Sequence, residues 1–195
     1  MKTVSTRRLF EYWNERRGSR AAPERGDLEP GAIRQLLTDS FVIAFDPAAG
    51  HPLRLSGTRM CAFFCRELRG EPFQELWSAA TRPIVRELIS VVADEASPAV
   101  GGVVAQPAAD FPTADLELLL LPLYHRGRRN ARMLGLLTPL VVPFWLGTSP
   151  VAELSLGSLR HLGADAQATA APRLLAPGRS LRIRHGLTVY DGGRQ

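Results

Sequence analysis

Residues 53–77 read LRLSGTRMCAFFCRELRGEPFQELW, a strand pattern that runs into a short apolar helix and then into a second helix start. Leu53 and Leu55 alternate with Arg54 and Ser56, which is the pattern of a half-buried strand. Gly57-Thr58 breaks that strand and offers a hydroxyl to cap the helix that follows. Met60, Cys61, Phe63 and Phe64 make the next turn too apolar to face water. Beyond Arg66-Glu67, Gly70 permits a turn, and Pro72 suits the first position of another short helix carrying Phe73, Leu76 and Trp77.

Working outward, the run Phe41–Phe45 is apolar and closes at Asp46-Pro47 and Gly50, so it pairs with the 53–56 strand as a hairpin. Before it, residues 5–17 place Leu9, Phe10 and Trp13 on one side of a helix that Gly18 ends. Asp27-Leu28-Glu29-Pro30 then opens a short helix that buries Ile33, Leu36 and Leu37. On the other side, Ile84, Val85, Leu88 and Val92 recur at helical spacing within 78–95, with Pro83 early enough to be tolerated. Three strands are expected after that, at 99–106, 116–125 and 132–141, joined by a loop at 107–114 and a polar turn at 126–131. Past Pro143 the pattern loosens. Residues 151–162 read as one more short helix, 180–190 as an edge strand, and the last fifteen or so residues as a mobile tail.

Composition limits the possibilities. A chain of 195 residues with 45% hydrophobic content can bury one good core with extensions. The apolar run 118–123 is far shorter than the roughly 20 residues that cross a bilayer, and no secretory apolar core opens the chain, so no membrane partner and a cytoplasmic location are expected. Two cysteines at i and i+4 exclude a disulfide framework and fit a reducing compartment. The net charge of +5 comes with 24 Lys and Arg residues scattered along the sequence, all but one of them Arg. They cluster only at Arg126, Arg128, Arg129 and Arg132 and at Arg179, Arg182 and Arg184. An anionic surface or nucleic acid held by Arg126–Arg132 and the Arg-rich tail is the alternative reading of function, and steep salt dependence would mark it.

Catalytic signals are sparse. His51, His125, His161 and His185 lie in separate turns or extensions with no second ligand at helical spacing, so no metal site is expected. Gly101-Gly102 sits inside a strand pattern and marks a bulge or close approach, not a phosphate loop. Ser155, Ser158 and His161 lack a carboxylate partner, and Glu117 is read as pointing outward. No enzyme is expected.

The 53–77 passage resembles the step from second strand to short helices in PAS domains, in particular the bacterial single-domain PAS family. The start, LFEYWNERRGSRAAPERGDLEPGAIRQLL, with Trp13, Pro23, Asp27 and Pro30, resembles the opening of that family, and the Leu-rich strands after residue 114 resemble its closing half. One departure is Cys65, which stands where the family usually has a glycine that ends a helix left-handed.

The resemblance implies an α+β fold: a five-stranded antiparallel sheet with helices on one face, an N-terminal amphipathic helix and a C-terminal extension. It divides the chain into a helical cap at 1–38, a core at 39–142 and an extension at 143–195. It also implies a bacterial signalling module that works by protein contact. Its pocket candidates are Cys61, Phe64, Phe73, Trp77, Val85, Leu88, Leu118 and Leu120, which either fill the core or wall a cavity for a small apolar ligand. Haem is not expected, because helix 78–96 has no histidine, and flavin is not expected, because Ala62, Phe63 and Phe64 replace the amides that hold it. The two thiols are read as buried and inert or as a redox-responsive pair. Leu9, Phe10 and Trp13 are the interaction candidates, packing on their own sheet or crossing to a second subunit in a homodimer.

Overall fold

The computed structural model describes residues 1–162, together with 182–184 and 187–189. Six antiparallel strands form its centre: β1 (Ser40–Ala44), β2 (Leu53–Ser56), β3 (Ala99–Pro107), β4 (Ala114–His125), β5 (Arg128–Pro139) and β6 (Val151–His161), in the order β2-β1-β5-β4-β3-β6. Two short strands continue that edge. β7 (Arg182–Arg184) pairs antiparallel with β8 (Leu187–Val189), and β8 meets β6 in parallel at Leu159 and Val189. These two strands fall within the edge strand expected at 180–190 and within the stretch expected to be a mobile tail; the rest of that stretch lies outside the described residues.

Turn chemistry fixes the strand ends. Arg126 and Gly127 both take positive φ (54° and 71°), the geometry of a two-residue hairpin turn whose twist matches its strands. The ladder therefore runs to the tip, and β5 begins at Arg128 rather than at the expected residue 132. Gly57, not Thr58, occupies the N-cap of α2 (Thr58–Phe64), and no side chain caps that helix. A side chain at Gly57 would lie 2.1 Å from the Leu37 carbonyl oxygen, so the backbone needs the space.

β6 replaces an expected helix. Its buried residues Val151, Leu154, Leu156 and Leu159 are spaced three, two and three apart, which mimics one face of a helix. The register with β3 explains the spacing: it shifts between Gly102 and Val103 and again between Gln106 and Pro107, which leaves Gly157 and Ala152 as extra residues on β6. Each bulge breaks the period of two once. Segment 143–162 thus belongs to the same sheet and core as the residues before it, with Trp145 and Leu154 in the main apolar cluster.

Helices cover both faces. α2, a 3-10 turn at Phe73–Leu76 and α3 (Arg82–Asp94) pack over Phe41, Ile43, Leu116, Leu118 and Leu120. On the opposite face α1 (Val4–Arg17) packs over Leu119, Leu121, Leu123, Leu134 and Leu136. This double cover explains why β4 is an unbroken apolar run from Leu118 to Leu121, since neither face meets water. Segment 25–33 forms two 3-10 turns, with Ile33 and Leu36 buried and Leu37 half-buried.

Candidate functional site

The fold brings the pocket candidates together. Phe64, Phe73, Trp77, Val85, Leu88, Leu118 and Leu120 are all buried in one cluster between the sheet and the short helices, with half-buried Cys61 packed at its edge. Phe73 stacks on Phe41 with ring centroids 5.0 Å apart and meets Trp77 edge-on at 5.8 Å. The one polar atom this group buries without a partner is the Trp77 indole N–H, which finds no acceptor among the described residues. A buried N–H left in that state costs about 1–3 kcal/mol.

The two thiols differ from one another. Cys65 is exposed, so the expectation of two buried thiols is corrected: α2 ends at Phe64 and Cys65 turns out into solvent as its left-handed cap. Burial pushes the Cys61 thiol above its ordinary range, and the Glu67 carboxylate 3.8 Å away pushes it further, against a bond from the Leu68 backbone. A thiol held protonated is a poor nucleophile.

Leu9, Phe10 and Trp13 are closed off from a partner within this structure. They are buried on the chain's own sheet, and Trp13 Nε1 donates to the Pro122 carbonyl at 2.9 Å. Of the two arrangements expected for this face, the chain takes the intramolecular one. Glu117 also departs from expectation. It lies on the α1 side of β4, is 4% exposed, and accepts from the backbone N–H groups of Lys2 and Thr3, the latter at 2.8 Å. Burial alone would raise its pKa, but those two bonds, with Thr6 and the amino terminus, hold the carboxylate below its ordinary value. Glu117 is thus an anchor for the start of α1.

His51 sits in the β1–β2 turn as expected, yet it is fully buried. Its Nδ1 accepts from the Asp46 backbone N–H at 3.3 Å. Among the described residues, no three His, Cys, Asp or Glu side chains gather where a metal could bind.

One feature carries no motif and is visible only in the structure. β5 stops at Pro139, and Leu140, Val141, Val142 and Phe144 then project into solvent, with Val141 80% and Phe144 75% exposed. Phe111 meets Phe144 edge-on at 5.4 Å and joins the same patch. Beneath it Trp145 is buried, donates to the Pro112 carbonyl at 3.0 Å and touches Phe63, so the projection stands on a fixed base.

An antiparallel sheet with brief helices packed over an apolar cluster on one face is the arrangement that the resemblance implied. A family model described as PAS domain matches residues 1–138, and the chain belongs to that family. No curated protein matches it. The family is a regulatory one, and among the described residues no helix is long and apolar enough to cross a membrane.

Proposed function

We propose that this PAS domain is a non-catalytic signalling module of the bacterial cytoplasm whose output is a protein contact, made by the apolar projection Leu140–Phe144 with Phe111. The observation that carries this reading is the exposure of those side chains together, on a base held by Trp145. A contiguous exposed apolar patch is a mark of an interaction surface. The α1 face is the weaker candidate, because its apolar residues pack on the chain's own sheet. The partner we infer is a second copy of the chain, since one patch presented twice makes a self-complementary two-fold contact. Sedimentation velocity tests this directly. The wild type should sediment as a dimer, and the V141D/F144D double variant, with unchanged circular dichroism, as a monomer. A wild-type monomer at high concentration, or a variant that dimerises as well as the wild type, overturns the reading.

The orphaned Trp77 N–H favours a second reading, in which the cluster opens to take a small apolar ligand with one acceptor oxygen. Native mass spectrometry should then show an extra mass that is lost on denaturation and absent in Trp77→Phe. A bare chain mass in both proteins rejects it.

A further inference from the structure

A concavity of about 530 Å³ lies outside the apolar cluster, beside the outer edge strand β2. Four arginines from four separate segments line it, and among the described residues none that lines it is acidic. Arg25 comes from the 3-10 turn after α1, which is fixed to β4 where the Tyr124 backbone N–H donates to the Pro23 carbonyl at 3.0 Å. Arg54 is the extra residue of a bulge on β2, because Ile43 pairs with Leu53 and Val42 with Leu55. Arg69 stands on the loop after α2, which is held against β2 by the Gly70 N–H to the Leu53 carbonyl at 2.7 Å and the Leu53 N–H to the Glu71 carbonyl at 2.9 Å. Arg132 rises from β5, half-buried.

None of the four is in an ion pair among the described residues, although five other arginines are. Three of them also feel one another: burial, then the neighbouring charges of Arg54 and Arg25, pull the Arg132 pKa below its ordinary value. Gathering like charges without a counter-charge is unfavourable, and an anion in the groove would relieve it. The β2 bulge adds a second kind of contact. It turns Leu55, 43% exposed, onto the same face as its cross-strand partner Val42, so an apolar strip lies beside the guanidinium groups.

We propose that this groove binds a small organic phosphate carrying two or more negative charges, with the phosphates on Arg25, Arg54, Arg69 and Arg132 and an apolar ring on the Val42–Leu55 pair. Guanidinium forks suit phosphate oxygens, and the volume suits a molecule of nucleotide size. This site is independent of the dimer contact and of the apolar cluster. Of Arg126, Arg128 and Arg132, only Arg132 is among the described residues that line the groove, so the site is not the linear cluster as such.

Isothermal titration calorimetry on the full chain, with ATP, tripolyphosphate and adenosine as probes, tests the proposal. ATP and tripolyphosphate should bind and adenosine should not. Arg54→Gln and Arg132→Gln should each weaken ATP binding by about tenfold, the loss of one charged hydrogen-bonding group, while Arg8→Gln, on the exposed side of α1, should leave it unchanged. If the Arg132 variant fails to fold, Arg69→Gln in its exposed loop replaces it. The proposal fails if neither phosphate probe binds, or if the R54Q/R69Q double variant binds ATP as the wild type does. It also fails if a single-stranded oligonucleotide binds where ATP does not, which would assign an extended nucleic-acid surface instead.

Discussion

Nη1 of Arg59, on the first turn of α2, lies 3.0 and 2.9 Å from the two carboxylate oxygens of Asp39, the residue just before β1. The Asp39 side chain is 4% exposed, and the Arg59 backbone N–H also donates to the Thr38 carbonyl at 2.9 Å, so this pair fastens the short helix to the start of the sheet. Burial raises the Asp39 pKa above its ordinary 3.8, and Arg59 offsets only part of that rise. A raised carboxyl contributes stability below its unfolded pKa and loses it as pH rises. Arg59→Met should therefore cost about 1–3 kcal/mol at pH 7, where a buried carboxylate is left unpaired, and distinctly less at acid pH, where the proton replaces the guanidinium. Urea titrations of both proteins at the two pH values measure it; an equal loss at each would remove the claim.

Cys65 ends α2 at φ 50° and ψ 32°, the left-handed region in which a β-carbon costs about 1 kcal/mol. The resemblance implies a glycine here, and the structure keeps the left-handed stop with cysteine in its place. Cys65→Gly should stabilise the protein, by about 0.5 kcal/mol once the greater freedom of glycine in the unfolded chain is subtracted. Cys65→Val should destabilise it, because a branched side chain tolerates this region worst. Thermal melts that rank the three proteins in any other order contradict the account.

Local pattern is a good guide wherever one face of an element decides its burial. The strand expected at 99–106, the helical spacing of Val85, Leu88 and Val92, and the break at Gly57 all correspond to observed elements. The pocket candidates come together because each has an apolar reason to face the same layer. What local pattern misses depends on register. Leu53 and Leu55 look like partners on one face, yet the bulge at Arg54 puts Leu55 on the other, and two more bulges disguise β6 as a helix. Glu117 shows the same limit: an acidic residue in a Leu run reads as solvent-facing unless the position of the chain's first residues is known. The arginine groove is illegible for a simpler reason, since residues 25, 54, 69 and 132 share a site only after the sheet has closed.

His51 makes the stability of the protein depend on pH. Its ring is fully buried, lies 5.3 Å from Phe45, and has its pKa lowered from 6.5 by burial, with attraction from Asp46 and repulsion from Arg86 partly cancelling. The unfolded histidine takes up a proton below about 6.5 while the folded one resists, so the unfolded state gains protons first. The contribution is thus complete above that pH and is lost as pH falls through the folded pKa. His51→Asn tolerates the positive φ of 59° and cannot titrate, so its stability between pH 7 and pH 5 should fall less steeply than that of the wild type, even if its baseline is lower. Parallel slopes from denaturation at a series of pH values would dismiss His51 as the source.

Gly135 and Phe41 face one another across β5 and β1, and the phenyl ring lies directly over the glycine. A β-carbon at residue 135 would fall 2.0 Å from Phe41 Cζ and 2.3 and 2.6 Å from the two Cε atoms, distances that no rotamer adjustment of an alanine can relieve. The ring cannot easily yield either, because Phe41 is fully buried and stacked on Phe73. Gly135→Ala should accordingly cost about 3 kcal/mol, the upper end for overpacking a core. Phe41→Leu also destabilises, by opening space, but it removes the obstacle, so the two changes should be strongly non-additive. In a double-mutant cycle the alanine should cost less than half as much in the Phe41→Leu background as in the wild type. Additive losses would mean that the backbone of β5, and not the ring, demands glycine at this position.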